Sequence, residues 1–156
     1  MSFPLRPSLL LLSAAALLIG LACDDSTAPV DDNSDLVFQA GPPSLPPGAR
    51  IAVLQGNPAE AAAFTVRLAF PDGYQVPPHF HPTDENITVI SGTFLFGMGD
   101  VLEPGAARTL RRGEFITAEA GHHHFAMARG TTVVQLHGIG PLATTYVNPA
   151  DDPRNP

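Results

Sequence analysis

From residue 50 onward the chain alternates apolar and polar residues with a period of two, the signature of half-buried β-strands. The clearest case is Ala63 to Phe70, where Phe64, Val66, Leu68 and Phe70 share one face and Thr65 and Arg67 the other. The same rhythm runs through Glu85 to Ile90, which sets Ile87 and Val89 on the Glu85 face, and through Thr93 to Met98, where Phe94, Phe96 and Met98 alternate against Leu95. Further strands are expected at Arg50–Gln55, around His79, and at Arg108–Leu110, Glu114–Ala118, His123–Ala128, Thr131–Leu136 and Thr144–Val147, with a short addition within Asp35–Ala40. Pro71-Asp72-Gly73 reads as a turn, and Gly92 as a break between two strands. No segment beyond the N-terminal leader carries a helical period. Many short strands with Gly and Pro punctuation predict an all-β, antiparallel sandwich or barrel.

Residues 1–22 stand outside this pattern. Leu9 to Leu21 is a thirteen-residue run, apolar but for Ser13, preceded by Arg6. That is short for a bilayer-spanning helix and right for the hydrophobic region of a signal peptide. Small residues at Gly20 and Ala22 lead into Cys23, the only cysteine. A lone thiol in an exported chain asks for an explanation, and LIGLAC resembles a bacterial lipobox, with Gly20 at the position usually held by Leu. The expectation is an exported protein anchored to the cell envelope by lipid on Cys23. The alternative is a soluble periplasmic or secreted protein in which Cys23 is incidental. Residues 23–48 read as an acidic, then Pro-rich tether, 49–148 as one β-barrel domain and 149–156 as a tail.

Composition narrows the partners. With 156 residues there is room for one domain. The net charge is −7, the eight basic residues are all Arg, and they form no cluster, which argues against nucleic acid. There is no nucleophile elbow, no Cys pair and no Gly-rich loop opening a helix.

The chemistry is concentrated in GYQVPPHFHPTDENITVISG, residues 73–92. His79 and His81 are two apart, so on a strand both imidazoles leave the same face. Pro82-Thr83-Asp84 can turn the chain and return Glu85 beside them from the next strand. Two imidazoles and a carboxylate suit zinc or a first-row transition metal. His124 in GEFITAEAGHHHFAMA is a fourth candidate. Four such ligands leave coordination positions open to water or substrate.

These residues resemble the cupin motifs. The first is a Gly, five residues, His-x-His, three or four residues, Glu, six residues and Gly; Gly73, His79, His81, Glu85 and Gly92 fill every place. In the second, Gly113, Gly121 and His124 fit, while Glu119 stands where Pro is usual and Ala128 where Asn is usual; neither is a ligand position. The resemblance covers roughly residues 50 to 147. It implies an antiparallel double-stranded β-helix, or jelly-roll barrel, holding one divalent transition metal (Fe, Mn, Zn or Ni) on His79, His81, Glu85 and His124. It also implies pairing of two barrels as a homodimer. It does not imply one reaction, because the family spans oxygenases, decarboxylases, isomerases and non-enzymes.

Neighbouring residues sort by position. Alternation puts His123 opposite His124, and His122 falls near the turn at Gly121; both read as solvent-facing or as partners of the ligands. Asp84 and Glu119 read as solvated turn carboxylates. Gln135 and His137 share one face of VVQLHG, and an inward orientation would make them the catalytic candidates, His137 as a base. The competing reading places them on an outer face or in a buried hydrogen-bonded pair. Two functions follow: a metal-dependent enzyme acting on a small oxygenated substrate, or a metal-binding module that captures a small molecule or is merely stabilised by its metal.

Overall fold

The computed structural model describes residues 36–155. The expected signal peptide and Cys23 lie outside the described residues. The strands are β1 (Gln39–Ala40), β2 (Arg50–Gln55), β3 (Ala63–Phe70), β4 (Gln75–Phe80), β5 (Glu85–Met98), β6 (Arg108–Arg111), β7 (Phe115–Ala118), β8 (His124–Ile139) and β9 (Thr145–Tyr146). Among the described residues the only helical elements are two three-residue 3-10 turns, Pro104–Ala106 and Pro149–Asp151. The all-β antiparallel expectation therefore holds.

One curled sheet contains every strand, and β5 and β8 are its spine. The first half of β8 pairs with β4, the second half with β3, and β5 runs antiparallel along nearly the whole of β8. β6 and β7 pair with the two halves of β5 in turn. Because one strand serves two sets of neighbours, the sheet folds over on itself and encloses an apolar interior. The alternation assigned to β3 is realised: Phe64, Val66, Leu68 and Phe70 are all buried.

Two expected breaks are continuous strand instead. β5 passes through Gly92, which sits at φ +80° between register shifts at Val89/Ser91 and Ser91/Thr93. This is a bulge: it bends the strand without ending it. A Cβ at Gly92 would lie 2.4 Å from the Thr131 carbonyl oxygen, so the close approach requires glycine. Gly130, at φ +70°, marks the matching bend in β8.

The apolar residues of β5 and β8 divide between two clusters. Phe94 and Phe96 face the main core, whereas Leu95, Phe125 and Met127 form a smaller cluster on the other side with Leu102 and Ala107. Met98 is exposed. Residues 42–46 cross the barrel as a strap. Leu45 packs on the core, and the Tyr146 and Tyr74 hydroxyls donate to the carbonyls of Ser44 and Pro46. Both phenols are consequently hard to ionise: burial, aided by nearby negative charge, pushes Tyr146 up to about 12 and raises Tyr74 as well.

Candidate metal centre

Two paired strands bring the histidines together. His79 and His124 are direct partners across the β4–β8 ladder, and His81 follows two residues after His79, just past the end of β4. Pro77 and Pro78 lack the N–H that a ladder needs, and the β4–β8 register shifts between Val76 and His79. The turn at 82–84 is tied to the loop before β8: Gly121 N–H donates to the His81 carbonyl, and Ala120 N–H donates to Asp84 Oδ1, 2.8 Å in each case. That pair of bonds docks the first motif against the second.

Each imidazole is oriented by a backbone carbonyl. Nδ1 of His79, His81 and His124 donates to Pro77 O at 2.7 Å, Ala143 O at 2.9 Å and His122 O at 3.0 Å. A carbonyl only accepts, so Nδ1 carries the proton in each ring and Nε2 of a neutral ring presents its lone pair. The ligating atoms of the three rings lie within 4.8 Å of one another. Nε2 of His81 and of His124 is buried with no hydrogen-bond partner. Buried polar atoms left unpaired are costly. A shared cation would remove that cost for both rings, so the donor set fits a metal.

Glu85 joins from the His81 side. It opens β5, opposite Gly138 on one flank and Ala118 on the other, and its Oε2 is 3.5 Å from His81 Nε2. That distance is an ion pairing, longer than a good hydrogen bond. A Cβ at Gly138 would lie 2.8 Å from the Asp84 carbonyl oxygen, so glycine lets the turn close onto β8.

All four side chains are buried, and their ionisation follows from that. Desolvation, reinforced by His124 and His81, pushes His79 down to about 3. Desolvation lowers His124 too. For His81 burial acts downward, but the Glu85 carboxylate overrides it and the net shift is up. Glu85 is the mirror case: burial acts upward, and the imidazoles, His81 foremost, override it and hold the carboxyl below its usual range. Each partner of this buried pair thus favours the charged form of the other.

The centre opens on a cavity of about 200 Å³ inside the barrel. Its lining is overwhelmingly apolar, from Val66, Leu68 and Phe70 on β3 to Val134 and Leu136 on β8, and among the described residues Ser44 and Thr144 are its only hydroxyl side chains. Phe96 stacks on His124 with ring centroids 5.1 Å apart, walling the site on that side.

Gln135 and His137 are corrected. Val134 and Leu136 face the cavity, so alternation turns their neighbours outward. Gln135 accepts from Arg67 Nε at 3.2 Å, and His137 is exposed. Neither reaches the interior, and the catalytic assignment falls. His122 and His123 behave as the alternation requires: His122 pairs with Glu119 at 3.3 Å in solvent, and His123 Nδ1 lies 2.6 Å from Asp100. The sequence reading missed the carbonyl of Ala143 and the strap residues Pro42, Ser44 and Leu45, which line the cavity. The only available signal was the apolar, proline-flanked SLPP itself.

Residues 47–152 match the family described as a domain of unknown function, DUF4437. No curated protein matches the chain. Among solved structures the chain is similar to an RmlC-like cupin from Shewanella frigidimarina, at 15% identity and a TM-score of 0.54 over 69% of this chain and 86% of that one. It is similar to the polyketide cyclase RemF from Streptomyces resistomycificus, at 19% identity and 0.58 over 76% and 84%. It is also similar to recombinant oxalate oxidase in complex with glycolate, at 26% identity and 0.53, covering 70% of this chain but 60% of that one. The fold is that of the cupins.

Proposed function

The chain belongs to the DUF4437 family, and we propose that it is an exported, metal-dependent cupin enzyme acting on a small oxygenated molecule. His79, His81, Glu85 and His124 would hold one divalent transition metal. The observation that carries this reading is the orientation of the histidines: three Nδ1–H groups fixed on carbonyls, and Nε2 atoms converging, two of them buried without a hydrogen-bond partner. A bound metal would supply Lewis-acid polarisation of an oxygen ligand, and iron or manganese would add redox capacity.

The chain's own residues do the rest. Glu85, whose carboxyl is held below its usual range, would offset one unit of the metal's charge. The carbonyls of Pro77, Ala143 and His122 keep each ring at a fixed angle, so little reorganisation accompanies binding. The mostly apolar walls beside the ligands offer water few hydrogen-bonding partners.

A second reading has one observation in its favour. With His137 and Gln135 outside, the described residues that line the cavity include no acid or base apart from the four ligands. Proton transfer would have to use ligand or solvent groups, which suits a non-catalytic module that binds a small molecule. Metal analysis of protein purified without added metal, followed by a substrate screen with the metal found, separates the two. Loss of a substrate's signal at a rate set by metal occupancy supports the enzyme; saturable binding without conversion supports the module. A protein that takes up no transition metal at all sinks both.

Export, lipid attachment at Cys23 and pairing as a homodimer belong to the same proposal. They rest on the apolar run before the single cysteine and on the open strand edges of so small a barrel.

A further inference from the structure

We propose that the cavity takes a ligand with an oxygen-chelating head of one negative charge and an apolar body of about one ring. The inference rests on the metal-centre reading and adds to it the class of molecule that reaches the metal. It follows from charge, lining and volume together.

The charge balance comes first. Three neutral imidazoles and one carboxylate around a divalent ion leave a single positive charge, which one anionic head neutralises. Nothing else in the cavity offers a second. All eight basic residues of the chain are Arg, and among the described residues none lines the cavity. A dianion would place its second charge against Leu68, Phe70, Ile87, Phe94, Val134 or Leu136, with no donor to meet it. A polyol would meet only the hydroxyls of Ser44 and Thr144.

Volume sets the size. An apolar protein cavity of about 150 Å³ holds one benzene ring. The present cavity, about 200 Å³, takes a ring and a short chelating head. Phe70, Phe94 and Phe96 supply aromatic wall, Phe94 lying 6.3 Å and 6.5 Å from the other two, centroid to centroid.

Three probes with the same α-hydroxycarboxylate head test this on the full chain loaded with Co(II): glycolate has no body, mandelate adds a phenyl ring, and tartronate adds a second carboxylate. The shift of the cobalt visible absorption reports binding at the metal. Mandelate is expected to bind more tightly than glycolate by roughly 10- to 100-fold, the gain from burying a phenyl group, and tartronate no more tightly than glycolate. Ala59 is an exposed loop residue on the cavity lining. Ala59→Arg would supply the missing cation and should narrow the preference for mandelate over tartronate by about tenfold or more. With cobalt bound, glycolate or tartronate binding as tightly as mandelate overturns the proposal and leaves the metal centre standing. If the chain retains no cobalt, the metal reading fails and the chelating head fails with it. The apolar body is then decided by whether benzyl alcohol raises the Tm of the metal-free chain; no rise overturns that half too.

Discussion

His79 and His124 are cross-strand partners, and their rings lie 4.3 Å apart, centroid to centroid. They come from segments more than forty residues apart in sequence, and the β4–β8 ladder alone sets their spacing. Any ion they share therefore fastens two strands at the barrel's interior, and metal occupancy and fold stability become linked.

His81→Ala and His124→Ala should each lower bound metal from about one equivalent to a small fraction and lower the Tm of protein purified with metal. His122→Ala and His123→Ala should leave metal content unchanged, since both rings pair with surface carboxylates. His137→Gln should also leave metal and any turnover intact, because its ring is outside the barrel. Metal analysis and thermal melts read all five. The ligand set would be falsified if His122→Ala emptied the site while His124→Ala left it full.

In the metal-free protein, stability should fall as pH drops from about 6.5 towards 3. His79 has its folded pKa pushed down to about 3, against 6.5 for the free side chain. Across that window the unfolded chain binds a proton that the folded chain excludes, so stability rises with pH. His124 and Glu85, both lowered, act in the same direction; His81, raised, acts oppositely, and its contribution is lost as pH climbs above 6.5. Melting curves from pH 3 to 7 should show a shallower dependence in His79→Gln than in the wild type. An unchanged slope would mean that His79 is not the buried neutral base described.

Gly97→Ala should destabilise the barrel by about 1–3 kcal/mol, the usual cost of overpacking. A Cβ there would lie 2.1 Å from Phe125 Cζ, and Phe125 is fully buried between Leu95 and Met127. Combined with Phe125→Leu, the glycine change should cost less than it does alone. Denaturant unfolding of the two single variants and the double variant gives the coupling.

Tyr146→Phe should cost about 1 kcal/mol by removing the hydroxyl that donates to the Ser44 carbonyl at 2.8 Å. Because that bond holds the strap across the cavity, amide exchange at Ser44 and Leu45 should speed up by roughly fivefold. Unchanged exchange would mean that Leu45 packing alone holds the segment.

Cys23→Ser should move the protein from the membrane to the soluble fraction, and mass spectrometry of the mature N-terminus should find diacylglycerol on the native cysteine. An unmodified Cys23 ends the lipoprotein proposal.

Local spacing made several features legible from residues alone. His79 and His81, two apart on a strand, must share a face, as must Phe64, Val66, Leu68 and Phe70, because side chains alternate with a period of two whatever the rest of the chain does. The glycine and proline punctuation showed where the chain bends, and the motif spacing proposed His124 as a partner across forty residues. What alternation cannot state is which face of a strand is inside. Gln135 and His137 share a face with each other, but only the pairing of β8 with β3 and β5 turned Val134 and Leu136 inward and left those two outside. Gly92 likewise announces a positive φ, and whether the strand ends or bulges depends on the partner strand continuing past it. The carbonyls that orient each imidazole, the strap over the cavity and the absence of a cation from its lining are all relations between segments distant in sequence. They exist only once the sheet has curled and closed, because tertiary contacts, and not local periodicity, choose the interior.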